Sequence, residues 1–262
     1  MRTAAGNRTF LAIMGALILL AWLTLWAWEH SPYSRYLQHG LWGQTSHAGL
    51  SMHSHGFSVI LYLVGWTLMT VAMMLPSTLP LIEIFRRLTI RKKNHLQLMV
   101  LVIAGYIIIW AGFGVVAHLG DWGLYQLLGR VPWIQSNGWV LGAGILVLAG
   151  SFQFSSLKYR CLDKCRAPLS FVMQHWRGRR DQLHSFMLGI HHGIFCVGCC
   201  WALMLLMFVV GTGSVGWMLA LGAMMATEKN MRWGRKMSAP LGGVLIGCGV
   251  VILISQSWLW AQ

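Results

Sequence analysis

Between residues 191 and 200 the chain reads His191-His192-Gly193-Ile194-Phe195-Cys196-Val197-Gly198-Cys199-Cys200. At about 100° per helical residue, His192, Cys196 and Cys199 fall within an arc of about 60°. Cys200 and Met207 flank that arc, Trp201 faces the opposite way and His191 lies off to one side. Imidazole, thiolate and thioether together are the ligand set of a soft ion, copper(I) first and zinc(II) second. Three thiols and two imidazoles in an apolar stretch are costly to bury without partners, so ligation or redox chemistry is expected here.

A second candidate face lies upstream. Trp66, Met69, Met73, Pro76 and Pro80 project within about 80° of one another by the same rule, whereas Met74 points elsewhere. Pro76 removes a backbone hydrogen bond and is expected to kink or break its helix. Such a break is tolerated at membrane depth where it is buried in protein or lines a wet cavity. The two faces predict one layer built from Met69, Met73, His192, Cys196 and Cys199. Cys161 and Cys165 are four apart in a basic segment, 156–185, and share a face if that segment is helical; they are candidates for a metal relay. His30, His39, His47, His53 and His55, with Met52, lie at 29–56, a loose set suited to weak capture of copper(II) or zinc(II). Cys248 stands alone and reads as a packing residue. Glu228 and Lys229 read as an ion pair snorkelling at an interface.

The elements that must position these groups follow from composition. Of 262 residues, 56% are hydrophobic and 10% charged, with mean hydropathy +0.60, against about 25% charged in a soluble domain. A bilayer core needs roughly 20 apolar residues per helix. Seven such stretches are present, at about 10–28, 57–80, 97–118, 138–155, 186–210, 214–228 and 240–260, the sixth short and glycine-rich. The first lacks the small-residue cleavage site of a secretory signal and reads as a retained helix. Eighteen of the twenty Lys and Arg fall at the N-terminus or after the second, fourth and sixth stretches, leaving Arg35 and Arg130 on the other side. That asymmetry predicts the N-terminus inside and the C-terminus outside. It also accounts for the formal charge of +14 without nucleic acid as a partner. The predicted fold is all-α, a single polytopic transmembrane helix bundle over 1–262, its partner the lipid bilayer.

The motif Trp66-x2-Met69-x2-Ala72-Met73-Met74-x-Pro76-Ser77-x2-Pro80 resembles that of a bacterial family described as predicted metal-binding integral membrane proteins, a domain of unknown function. The resemblance continues through Gln153-x3-Leu157-Lys158-x2-Cys161-Leu162-x2-Cys165-Arg166-x-Pro168. It is most specific at His192-Gly193-x2-Cys196-x-Gly198-Cys199-Cys200-Trp201-x-Leu203-Met204, and ends near Glu228-Lys229. It covers roughly residues 60–230 and implies metal binding in a bacterial cytoplasmic (inner) membrane. Gly211-Thr212-Gly213-Ser214-Val215 departs from the more apolar turn expected there. The histidine-containing outer loop and the final stretch lie outside the resemblance.

Three classes of function follow. The leading one is a soft-metal protein, copper before zinc, engaged in metal handling, delivery or transport. Its metal ligands would be His192, Cys196, Cys199, Cys200, Met69, Met73, His191, Cys161 and Cys165. A periplasmic metal carrier or another membrane subunit would be its partner. No nucleotide-binding loop is seen, so transport would be passive, ion-coupled or driven by that partner. The second is a membrane-embedded redox metalloenzyme, disfavoured by the scarcity of acids and bases, the six acidic residues sitting mostly at span ends or in loops. The third is a metal-free structural or assembly subunit.

Overall fold

Long runs of Leu, Ile, Val, Met, Ala and Gly satisfy their backbone hydrogen bonds within a helix, and helices are what form. The computed structural model describes residues 2–31, 55–128, 137–176, 180–210 and 214–259, and among them there is no strand. In chain order the described helices are α1 (Arg2–Glu29), α2 (His55–Thr89), α3 (His95–Leu128), α4 (Trp139–Phe152), α5 (Ser156–Arg166), α6 (Pro168–His175), α7 (Asp181–Val210), α8 (Val215–Asn230) and α9 (Gly234–Leu259). Most of the 29–56 segment, with His39, His47, Met52 and His53, lies outside the described residues, as do Gly211, Thr212 and Gly213.

Five of these helices are long and apolar enough to cross a membrane, or six if α4 and α5, bent by 63° at their junction, count as one span. The difference from seven comes from the short elements: α4 has 14 residues and α8 has 16, about 21 and 24 Å at 1.5 Å per residue. Ser155 sets the α4–α5 bend, its hydroxyl accepting from the Lys158 backbone N–H to cap α5, an ordinary helix-start device.

The bundle is organised around α7. The apolar windows of α2 and α7 are 61% and 56% buried, those of α1 and α9 only 17% each. Helix α7 packs most extensively on α3, then on α5 and α4, while α9 packs on α4 and α2 on α3, α1 and α8. Gly105 of α3 and Gly189 of α7 let the first pair approach backbone to backbone; a Cβ on either would run into a carbonyl of the other helix. Small residues at crossing points serve this purpose in apolar bundles. On the outside, Leu19, Leu20, Leu23, Val100, Val116, Val244, Val251 and Ile254 are all exposed, an apolar belt far beyond the patches a soluble monomer carries.

Helix α2 is not broken at Pro76. It runs unbroken from His55 to Thr89 through both prolines, with the Ser77 and Thr78 hydroxyls donating to the carbonyls of Met74 and Leu75. Neighbouring helices and hydroxyl side chains make proline tolerable in such a setting. The ends of α2, α6 and α8 and the starts of α3, α7 and α9 gather at one side. There Lys92 pairs with Asp181 at 2.5 Å, Phe85 meets Trp176 edge-on at 5.0 Å, and Arg235 reaches Asp163 at 3.1 Å.

Candidate metal centre

Helix α7 carries the sulfur stripe inward, as its 3.6-residue period requires. Cys196, Cys199 and Cys200 are buried to 2% exposure or less, with the Cys199 and Cys200 thiols donating to the Cys196 carbonyl at 3.1 and 2.8 Å. Trp201 faces away and meets Phe152 edge-on at 5.0 Å. Helix α5 brings the other two thiols to the same place. Cys165, half-buried, packs against the same cluster, and Cys161 presses on Gly198, where an added Cβ would sit 2.7 Å from its sulfur. Gly198 thus leaves room for a thiol from α5 beside the α7 stripe. Four buried cysteines from two helices therefore share one cluster, with the half-buried Cys165 packed against it. The expected shared face of Cys161 and Cys165 is present, but it is part of the central cluster and not a separate inner station. Cys248 is exposed.

The sixth participant is a lysine. Lys229, at the end of α8, is 6% exposed. Its ammonium donates to Cys196 Sγ at 2.9 Å and Ser77 Oγ at 3.3 Å, with Met74 Sδ at 3.9 Å. Tyr106 of α3 brings its hydroxyl to 3.1 Å from the same Cys196 sulfur. The interfacial Glu228–Lys229 pair is therefore corrected: adjacent helical residues diverge by about 100° and here take different partners. Glu228 accepts from Lys158 Nζ at 2.8 and 2.9 Å, the two side chains 2% and 0% exposed. Gln153 Oε1 accepts from Lys158, and Ser238 of α9 donates to Glu228 at 2.7 Å. Arg166 donates to the Glu228 and Arg232 carbonyls.

The α2 residues stand differently from the expected layer. Met69 and Met73 are buried in the same core, and Met73 lines the space beside Gly222 of α8. The α2 sulfur that Lys229 reaches is Met74, which the helical projection turned elsewhere. Trp66 has a packing task, its indole donating to the Trp110 carbonyl at 2.9 Å. His192 is 4% exposed, stacks on Tyr106 at 5.7 Å and meets Phe171 edge-on at 5.6 Å. Its Nδ1 is buried without a hydrogen-bond partner in the described structure, a rare condition for a polar atom. His191 lies outside the cluster, its Nδ1 donating to the Met187 carbonyl at 2.8 Å. His30 of the outer segment donates to the Trp26 carbonyl at 2.9 Å; of His55 only the backbone is described.

As it stands, no set of three or more His, Cys, Asp or Glu side chains among the described residues is arranged to hold a metal ion. The thiols adjoin one another, and a cation, the Lys229 ammonium, lies against the Cys196 sulfur.

Among the described residues the chain is all-helical, with an apolar exterior and a buried cluster of thiols, an imidazole and thioethers, and this defines the class as a helical bundle with a sulfur-rich core. Comparison with known families makes this specific. The family described as PpoB2, copper chaperone, matches residues 63–252, and the chain belongs to that family. The match takes in most of α9, which the resemblance to metal-binding membrane proteins did not reach. No curated protein and no solved structure matches.

Lys229 and Tyr106 at the thiols, and Glu228, Lys158, Gln153 and Ser238 in the separate ion-pair network, are residues that spacing did not single out in these roles. For four of them a signal was present: Gln153, Lys158, Glu228 and Lys229 all fall within the motifs of the resemblance. Charged groups in a chain this apolar are also expected to have a defined partner.

Proposed function

We propose that the chain is a polytopic membrane protein that holds copper(I) as cargo in the cysteine cluster between α5, α7 and α8 and hands it on by exchange of thiol ligands. Thiolates are the preferred donors for copper(I), and binding displaces their protons. The observation that carries this reading is that a separate helix, α5, presses Cys161 onto Gly198 and packs Cys165 against the buried cluster that holds Cys196, Cys199 and Cys200. In this reading Cys196 and Cys199 bind the ion, and Cys165 is the thiol that enters as it moves. His192 offers an unpartnered nitrogen nearby, and Met69, Met73 and Met74 make the surroundings polarizable.

Charge counting gives Lys229 a task. Two thiolates and one copper(I) carry a net charge of −1, which is costly to bury alone. An ammonium 2.9 Å from Cys196 brings the loaded site to neutrality.

The test is the copper content of the purified full-length chain loaded with copper(I) under reducing conditions. About one thiol-bound ion per chain is expected, with loss of that ion in Cys196→Ser/Cys199→Ser and at least tenfold weaker retention in Cys165→Ser. Wild-type protein retaining no more thiol-bound copper than the double variant would overturn the reading.

We further propose seven crossings, with α4 and α8 as the short ones, the N-terminus inside and the C-terminus outside. The gathering of the basic α2, α5–α6 and α8 ends on one side supports this, since positive residues mark the inner face. A reporter active only outside, fused after Gln262, should be active; activity only from an inside reporter there would reverse the orientation.

A further inference from the structure

A second pair of ligands lies outside the cysteine cluster. His175 closes α6 and His191 stands on α7, one residue before His192 but on another face. Their rings are 4.9 Å apart, centroid to centroid, tilted by 40°. Each Nδ1 lies 2.8 Å from a main-chain carbonyl one turn back, Phe171 for His175 and Met187 for His191. A carbonyl oxygen can only accept, so both Nδ1 atoms carry the proton. In the neutral rings the lone pairs are therefore on Nε2, and no protein group among the described residues is hydrogen-bonded there. Tying one ring nitrogen to a carbonyl is how proteins fix the tautomer and orientation of a metal-binding histidine.

The pair is held as a unit. Phe171 stacks on His175 at 4.3 Å and meets His192 edge-on at 5.6 Å, so the same buried aromatic ring braces His175 and touches the imidazole of His192. Both histidines are half-buried, whereas Cys196 is fully enclosed. Along α7 the pair lies five residues from Cys196, about 7.5 Å at 1.5 Å per residue.

We propose that His175 and His191 form a second, two-coordinate copper(I) site, a half-exposed station between the end of α6 and the first half of α7. Two neutral imidazoles satisfy copper(I), which accepts two ligands, whereas a structural zinc site takes four. The inference rests on the reading that copper(I) is the cargo. It differs in chemistry, because the thiols release protons on loading and two neutral imidazoles release none.

The experiment titrates copper(I) into the full-length protein in detergent against a chromophoric copper(I) chelator, with proton release followed in parallel. It compares wild type, Cys196→Ser/Cys199→Ser, His175→Phe, His191→Gln and the four-fold combination of Cys196→Ser/Cys199→Ser with His175→Phe/His191→Gln. The expected result is a weaker second ion in wild type that survives in Cys196→Ser/Cys199→Ser. That ion should be taken up without proton release, show nitrogen-only two-coordinate X-ray absorption, and weaken at least tenfold in either single histidine variant. Two single variants on different helices guard against one of them misfolding. Failure of the cysteine reading would show as loss of the proton-releasing ion alone, leaving the histidine ion in place. Equal copper uptake by wild type and both histidine variants, or sulfur coordination of every ion, would overturn the inference.

Discussion

Glu228 and Lys229 are consecutive on α8, yet their charges end in two polar sites of opposite character. Glu228 closes a saturated network: Lys158 Nζ donates to both carboxylate oxygens, Gln153 takes a further Lys158 proton and Ser238 adds a donor. Positive and negative charge cancel there. Lys229 faces a hydroxyl and sulfurs, and among the described residues its hydrogen-bond partners include no carboxylate. A balanced buried pair is an architectural device, which here joins the α4–α5 bend to α8 and α9. An ammonium set among thiols carries a charge that becomes balanced only when thiols ionise, as two would around one copper(I). The contrast separates what holds the bundle from what works in it.

The largest effect expected from this contrast is on stability. Lys158→Met removes the cation from Glu228, and breaking a buried pair from one side costs about 3–5 kcal/mol because the other charge is left uncompensated. Detergent-solubilised protein should unfold at markedly lower temperature, while the folded fraction still binds thiol-bound copper at wild-type stoichiometry. Adding Glu228→Leu should recover much of the loss, since apolar replacement of both partners is often neutral or better. A Lys158→Met protein that is fully stable but copper-free would merge the two sites into one and break the comparison.

How much of this could be read from residue order differs between the two regions. The helices were legible, because apolar runs of this length admit little else. The inward stripe of Cys196, Cys199 and Cys200 was legible too, since it depends only on the 3.6-residue period, and so was the shared face of Cys161 and Cys165. What a helical projection cannot give is which helix lies opposite. Met73 and Met74 differ by one step of rotation, and only the packing of α2 on α3 and α8 decides that Met74 approaches Lys229. The Lys158–Glu228 pair spans 70 positions, a separation no local pattern encodes. Pro76 signalled a kink or a break, and the helix runs on through it. Neighbours in sequence also misled: Glu228 beside Lys229 invites pairing, but successive residues on a helix do not face each other.

Lys229→Met gives the second and smaller effect, and its sign is the sharper test. The substitution keeps an unbranched side chain of similar length and removes a buried charge, so stability should hold or rise slightly, opposite to Lys158→Met. Binding should suffer instead. Without the ammonium, two thiolates and copper(I) leave an uncompensated negative charge in the bundle. Affinity for the thiol-bound ion is expected to fall about 10- to 100-fold, or about 1.4–2.8 kcal/mol. That lies below the roughly 4 kcal/mol attraction of unit charges 4 Å apart at an effective dielectric of about 20, because neighbouring dipoles such as the Tyr106 hydroxyl reorganise. Competition with a copper(I) chelator reads the change, and a thermal melt on the same sample reads stability. Tighter binding in Lys229→Met would mean that the ammonium competes with the ion for its place. The lysine would then be a stand-in that must leave before cargo enters, and the charge count offered for the loaded site would be wrong in sign.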